Sequence, residues 1–426
     1  MNPDAPIFDV IILGAGATGL SAAKELAKKN KSLLILEAHS RIGGRVATCP
    51  NGIELGPEFI HGSPPKLYKQ LKIRFERVPD VHVVAFKEPD FVVWIKNSRY
   101  WDPLDRILKH PPKKQTDYSF MPYFSRMEQA SDFEKKIISS YIEGFIAADP
   151  QKVSARNVYD TLKSEASKKA YWPSTGYENI LKKIFSRIIR KGMIRLNTPV
   201  KKILWNKNFV EVKANDQSFF SKKVINTLPV GVLKSKQVKF VPQILQLRNA
   251  LSSVEMGQII KIIFKLRKSK WKKWMKEQLP KNESFAFIHV FNSPICVFWL
   301  RNTEKQLDLI AWVGHLEAKK MKNYSKAKIV QYVSRETAKV FEIPFKEWKY
   351  YIQQISFHHW DGDPFIKGAY AYFKPNGDKK LRLLNKKGIS HKLYFAGEAF
   401  AEDRAGTVDG AIQSGKEIAK IVLKSF

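Results

Sequence analysis

VIILGAGATGLSAAKELAKKNKSLLILEAHSRIGGRVAT, residues 10–48, is the stretch whose reading decides the fold. Phe8–Leu13 is a β-branched, apolar run, which predicts a buried parallel strand. Gly14, Gly16 and Gly19 follow at once, then LSAAKELAKKN with helical spacing, then SLLILE ending on Glu37. Each residue type has a mechanical task. Gly14 permits the tight turn, Gly16 lets backbone approach a pyrophosphate, and Gly19 lets the helix pack close to the strand. The helix then turns its unpaired N–H groups and positive dipole end toward the phosphates. Glu37 lies eighteen residues after Gly19 and is placed to accept hydrogen bonds from ribose hydroxyls. Strand, turn, helix, strand and acid in this order predict a dinucleotide site.

The bulk composition bounds the rest. A chain of 426 residues is too long for one core and predicts two domains, with 44% apolar and 12% aromatic residues to fill them. Two distant cysteines, Cys49 and Cys296, exclude a disulfide framework and fit a reducing compartment. The polar start MNPDAP has no cationic leader, and no stretch reaches the roughly 18 apolar residues of a membrane span. A soluble, cytoplasmic protein is expected. The net charge is +34, and KLRKSKWKKWMK (265–276) packs seven basic residues into twelve. Such a surface is either a solvated lysine-rich face or a site for a polyanion, nucleic acid or an anionic surface.

RIGGRVAT (41–48) separates the possible cofactors, because with it the chain resembles the flavin-dependent amine oxidases. That family comprises monoamine oxidases, polyamine and spermine oxidases and the histone lysine demethylases. The motif style is nearest to bacterial polyamine oxidase-like members. The resemblance continues in family order through ELGPEFIHG (54–62), EGFIAADPQKVSARN (143–157), which is similar to a helical stretch of the substrate domain, NTPVKKILW (197–205) and VINTLPVGVLKS (224–235). MGQIIKIIFKL (256–266), WDGDPFIKGAYAYFKPNG (360–377) and YFAGEAFAEDRAGTVDGAIQSG (394–415) complete it. It implies an α/β FAD-binding Rossmann-type domain interleaved with an α+β substrate-binding domain. Residues 1–75, 190–250 and 385–426 form the first, residues 76–189 and 251–384 the second.

The resemblance also implies a site. Gly14, Gly16, Gly19, Glu37, Gly43, Gly44, Arg45, Val200, Trp360, Glu398 and Val408 form the FAD-binding set. In the family, Gly43, Gly44 and the forked donor Arg45 line the pyrophosphate. The Val200 backbone holds the adenine, Glu398 bonds a ribitol or diphosphate hydroxyl, and the Val408 N–H donates to flavin O2. Lys261 is expected in an alternating strand, bonding a water that bridges to flavin N5. Tyr370 stands at the flavin face, while Thr407 takes the place of a second cage tyrosine and leaves the cage open. Ala369 replaces the cysteine that forms the thioether in monoamine oxidases, so FAD is expected to be non-covalent. His61 ends a segment similar to WIHG in polyamine oxidases and could read the amine's charge. His358 and His359 receive no role.

The expected reaction is oxidation of an amine C–N bond to an imine, hydrolysis to an aldehyde, and reduction of O2 to hydrogen peroxide. A polyamine or other secondary amine is favoured, although a chain of charge +34 repels polycations unless Glu58, Glu143 and Asp149 make the channel acidic. LGPEFIHG lacks the arginine with which L-amino-acid oxidases hold a carboxylate. A demethylase-like flavoprotein bound to a polyanion through 265–276, or a porphyrinogen- or carotenoid-type dehydrogenation, remains the alternative. Neither metal-ligand spacing nor a nucleophile triad is visible in the sequence.

Overall fold

The fold is seen in a computed structural model that describes residues 6–426, apart from 50–51, 89–90, 96–101, 114–115, 127–129, 166–168, 206–207, 279–285, 305, 386–387 and 403. Its first strand, β1 (Ile7–Leu13), runs parallel to β2 (Leu33–Leu36) on one side and to Gln217–Asn226 on the other. Val10–Leu13 are fully buried, as a strand covered on both faces requires. The helix α1 (Ala17–Ala27) makes the crossover. Gln217–Asn226 is long enough to divide its far edge. Its first half pairs antiparallel with Val210–Ala214, and its last three residues pair parallel with Leu393–Phe395. Val200–Leu204, Lys239–Val241 and Ile194–Arg195 complete this sheet.

A second sheet runs in the order Ile352–Phe357, Ile260–Leu266, Leu307–Val313, Ile295–Asn302, Phe287–Phe291, His82–Lys87, Val92–Ile95. Two small sheets join the large ones: Val254–Met256 with Ala371–Phe373, and Ala170–Pro173 between Ile60–His61 and Phe75–Arg77. Among the described residues no helix is long and apolar enough to cross a membrane.

Two helix N-termini meet at the cavity described below. α1 starts from Gly16, and the C-terminal helix Val408–Lys424 starts from Thr407. The helices cross closely because Gly415 has no side chain: a Cβ there would lie 2.2 Å from the Thr18 carbonyl oxygen. Ser21 Oγ donates to Ile412 O at 2.7 Å and locks the crossing.

Two segments differ from the sequence expectation, and the basic run takes the first of its two readings. Residues 143–157 are not one helical stretch: a π-helical turn, Ile142–Ile146, ends at Ala147 (φ 54°), and helix starts again at Ala155. The Lys261 strand is not alternating, because it is central in its sheet and Ile260–Phe264 are all buried. Residues 265–276 end a strand and begin the helix Lys268–Gln278, anchored by buried Trp271 and Trp274. Its remaining lysines form a solvated face over a tryptophan core.

Gly19 carries the tightest constraint on the first crossover, since a Cβ there would lie 1.9 Å from Gly14 O. Gly19→Ala should therefore lose about 1–3 kcal/mol of stability through overpacking. A denaturant midpoint equal to that of wild type would show that strand and helix have room to part.

Candidate active site

One cavity of about 1720 Å³ is lined from both large sheets and by both helix N-termini. At one end two glycine turns touch. Gly43 N–H donates to Ala15 O at 2.9 Å, and Gly16 and Gly43 form a parallel bridge. Gly43 (φ +102°) and Gly44 (φ +59°) are held in shape by Arg41, whose guanidinium donates to Ile42 O, Gly44 O and Val46 O at 2.8–3.1 Å. The protein's own packing requires glycine at 14, 19 and 43, where a Cβ would come within 2.8 Å of another atom. It does not require Gly16. That residue has φ −73°, and its nearest neighbour to an added Cβ is 3.9 Å away. Gly16 lines the cavity, so the space a side chain would take is left for a ligand that sits against backbone.

Glu37 closes this end. Its carboxylate accepts from Ala15 N at 2.7 Å and from His39 N at 2.9 Å, and the His39 ring lies 3.3 Å from it. His39 Nε2 reaches Asp363 at 3.0 Å, and His358 Nε2 reaches the same carboxylate at 3.0 Å. The hydrogen bonds to Asp363 and then Glu37 raise His39 to about 9. Burial works against Asp363's charge, yet the bonds from His358 and His39 hold it well below the usual carboxylate range. His39, Asp363 and His358 were not read as a group from the sequence, and nothing in their spacing marks them.

The next section of the cavity is polar and fixed. Arg45 Nη1 donates to Glu398 Oε1 at 2.8 Å and to Ala369 O at 2.7 Å. Trp360 Nε1 donates to Leu55 O at 3.0 Å, and Val200 lines the wall. Val408 opens the C-terminal helix, whose first N–H groups lack intrahelical partners. Thr407 is its cap: the hydroxyl accepts from Gly410 N at 3.0 Å and donates to Arg404 O at 2.8 Å. A Cβ on Gly406 would lie 3.5 Å from the Tyr370 ring. Neither Cys49 nor Cys296 lines the cavity, and position 369 is alanine, so no cysteine can bond a ligand there covalently.

Lys261, 3% exposed, lies deeper in the same cavity. Its ammonium has three donors and three protein acceptors: Glu58 Oε2 at 2.6 Å, Glu54 O at 2.7 Å and Gly56 O at 3.3 Å. Glu58 is 7% exposed, and its other oxygen accepts from Trp299 Nε1 at 3.2 Å. Glu54 turns away from the cavity and accepts from Tyr177 N at 2.6 Å and Thr48 Oγ1 at 3.0 Å; burial pushes it up to about 7.

Rings connect onward from this pair. Trp299 contacts Trp312 and Phe59 at 5.5 Å, and Phe59 contacts Phe287 at 6.0 Å and His61 at 6.1 Å. Phe145 meets His61 edge-on at 5.8 Å and stacks on Tyr141 at 5.2 Å. The π-helical turn turns two carbonyls outward: Gly144 O accepts from Trp312 Nε1 at 2.7 Å and Phe145 O from the Tyr370 hydroxyl at 2.8 Å. Burial, then the Glu398 charge, raises the Tyr370 phenol above its ordinary value. Glu143 and Asp149 do not supply a channel charge. Glu143 bonds the Leu316 N–H and Asp149 pairs with Lys152 at 2.8 Å, and neither lines the cavity.

A family model described as flavin containing amine oxidoreductase matches residues 104–423, and one described as NAD(P)-binding Rossmann-like domain matches residues 12–73. A flavin-containing amine oxidase of Oncorhynchus mykiss is 24% identical over 98% of this chain and 86% of its own length. Polyamine oxidase 5 of Oryza sativa subsp. japonica is 25% identical over 95% and 86%. Lysine-specific histone demethylase 2 of Homo sapiens is 26% identical over 97% of this chain but 53% of its own. Among solved structures, cyclohexylamine oxidase from Brevibacterium oxydans superposes with a TM-score of 0.79 and putrescine oxidase bound to putrescine with 0.78. Both are 17% identical and cover 98% of this chain and 99% of theirs.

The buried pair generates one prediction. Glu58→Gln strands the Lys261 charge and should cost about 3–5 kcal/mol, and adding Lys261→Met should recover most of it. Additive losses in a double-mutant cycle of urea midpoints would contradict a direct pair. The His39 cluster generates another. A folded pKa near 9 against 6.5 unfolded gives stability that is complete below pH 6.5 and lost as pH rises through 9. Allowing for solvent screening, wild type should lose on the order of 2 kcal/mol across that window, and Asp363→Asn should flatten the loss. Identical pH profiles of unfolding for the two proteins would contradict the assignment.

Proposed function

The chain belongs to the flavin-containing amine oxidoreductases, and from that premise we propose how its residues divide the oxidation of an amine C–N bond. The observation that carries the reading is continuity: one cavity runs from Gly16, Gly43 and Gly44 past Arg45 and Glu398 to Tyr370, Lys261 and the aromatic chamber. A dinucleotide cofactor and a small substrate therefore share one enclosed space.

The cofactor is FAD, without a cysteine thioether. When bound, it supplies acceptance of the substrate's α-hydrogen with two electrons, leaving an imine that water hydrolyses to an aldehyde; we take O2 as terminal acceptor and hydrogen peroxide as co-product. Segments 1–75, 190–250 and 385–426 hold it, and 76–189 and 251–384 enclose the amine. The first sheet draws all its strands from the former and the second all from the latter. The α1 N-terminus and the glycine turns bind the diphosphate, Glu37 the ribose, and the Val200 backbone the adenine. Arg45, tied to Glu398, presents its remaining donors to phosphate oxygens. Val408 N–H, at a positive helix end, favours negative charge at the flavin edge.

On the substrate side, Tyr370 is fixed by Phe145 O and orients the amine, with His61 at the chamber wall. Thr407 leaves room opposite it. Since the Thr407 hydroxyl caps the helix, a Thr407→Tyr variant removes the cap as well as the space, at about 1 kcal/mol. Lys261 has each donor occupied by protein, so contact with a cavity water requires release of its longest bond, to Gly56 O.

Purified protein should be yellow, and acid or detergent should release free FAD. Addition of an amine without oxygen should bleach the flavin, and air should restore the colour with peroxide formed. Protein that binds FAD stoichiometrically but is bleached by no amine would contradict the reading.

A further inference from the structure

We propose that the substrate is a monoamine with an apolar, aryl or alicyclic tail, and that Phe145 is the residue that selects it; this rests on the amine-oxidation reading above. The argument starts from charge. The chamber is a set of side chains in mutual contact: Glu58, Lys261, Trp299, Trp312, Phe59, Phe287, His61, Phe145 and Tyr370. Glu58 is the one carboxylate in that set, and its charge is already matched by Lys261 at 2.6 Å. A second ammonium carried into the chamber would be desolvated against rings, with no unmatched carboxylate beside it, which is costly.

Glu398, whose charge reaches Tyr370, is matched by Arg45 at 2.8 Å, and a further carboxylate meets the aromatic path at its far end. His82 stacks on Phe287 at 4.9 Å, and its Nε2 lies 2.9 Å from Asp80, whose side chain is 86% exposed. A diamine laid along the rings would reach this carboxylate only past Phe59 and Phe287, and in water. The chain's charge of +34 adds long-range repulsion of polycations.

Phe145 supplies the positive half of the argument. It is a large apolar side chain left 39% exposed, and it lines the cavity. Its place does not depend on a ligand. The π-helical turn fixes the backbone through Tyr370 to Phe145 O and Trp312 to Gly144 O, and Tyr141 stacks on the ring. An exposed ring held in this way gains from an apolar tail laid on it, at roughly 25 cal/mol per Å² covered. Truncation at Cβ removes the ring and keeps the carbonyl that holds Tyr370.

The test is anaerobic reduction of the FAD-loaded enzyme by two series of amines: cyclohexylamine, 2-phenylethylamine and its N-methyl derivative, against 1,4-diaminobutane and spermidine. The apolar monoamines should show an apparent Kd at least about tenfold lower than the diamine or triamine. Phe145→Ala should raise Kd for 2-phenylethylamine about tenfold, an effect that falls on Kd more than on the limiting reduction rate. Phe145→Leu should recover most of it, with FAD content and circular dichroism confirming that both variants fold. Tighter binding and faster reduction by the diamine or spermidine would overturn the proposal and leave amine oxidation standing, as would an unchanged Kd in Phe145→Ala. Reduction by no amine in either series would remove the premise and the proposal together.

Discussion

The cofactor end of this molecule depends on how closely two stretches of backbone approach each other. Gly16 and Gly43 pair without side chains between them, and Gly44 lies against Gly16, where an added Cβ would stand 3.6 Å from the Gly16 Cα. Each turn is held from outside the contact. Gly14 and Gly19 close the strand–helix turn, and Arg41 grips three carbonyls of the second turn. The positive end of α1 is thereby brought to the floor of a cavity rather than to solvent. The C-terminal helix is brought to the same cavity by another glycine, Gly415, against Thr18. Two helix dipoles converge because three close backbone contacts permit it.

Electrostatics at the other end follow a different rule. Lys261 is buried on the strand Ile260–Leu266 and Glu58 in the segment before Ile60–His61, and each would be costly alone. Together with Glu54 O, Gly56 O and Trp299 Nε1 they leave little unmet polarity. The chamber beyond is then ring-lined within a protein of charge +34.

Local pattern made the first third of the argument legible in the sequence. Strand, glycines, helix and Glu37 are consecutive, so their geometry is a local property; motif order and the resemblance to amine oxidases extended it to Arg45, Val200 and Glu398. What stayed hidden is set by tertiary contact. Glu58 and Lys261 are far apart in the chain, as are His39 and Asp363, and a single acidic residue carries no sign of its partner. The π-helical turn at Ile142–Ile146 was read as plain helix because its distortion answers to Trp312 and Tyr370, not to its own residues. The basic run at 265–276 left two readings open because a count of lysines does not show which face they occupy. The burial of Trp271 and Trp274 shows that it has an inner face.

The central claim is that Gly16 is kept small for FAD rather than for the fold. Its backbone is unstrained and its neighbours leave room for a Cβ, so an alanine there separates ligand space from protein stability. The direct measurement is titration of apoprotein with FAD by flavin fluorescence, for wild type and Gly16→Ala, beside the unfolding midpoint of each apoprotein. The account predicts midpoints that differ by no more than a lost cap, under about 1 kcal/mol, with FAD affinity weakened at least tenfold. Equal FAD affinity in the two proteins would contradict it.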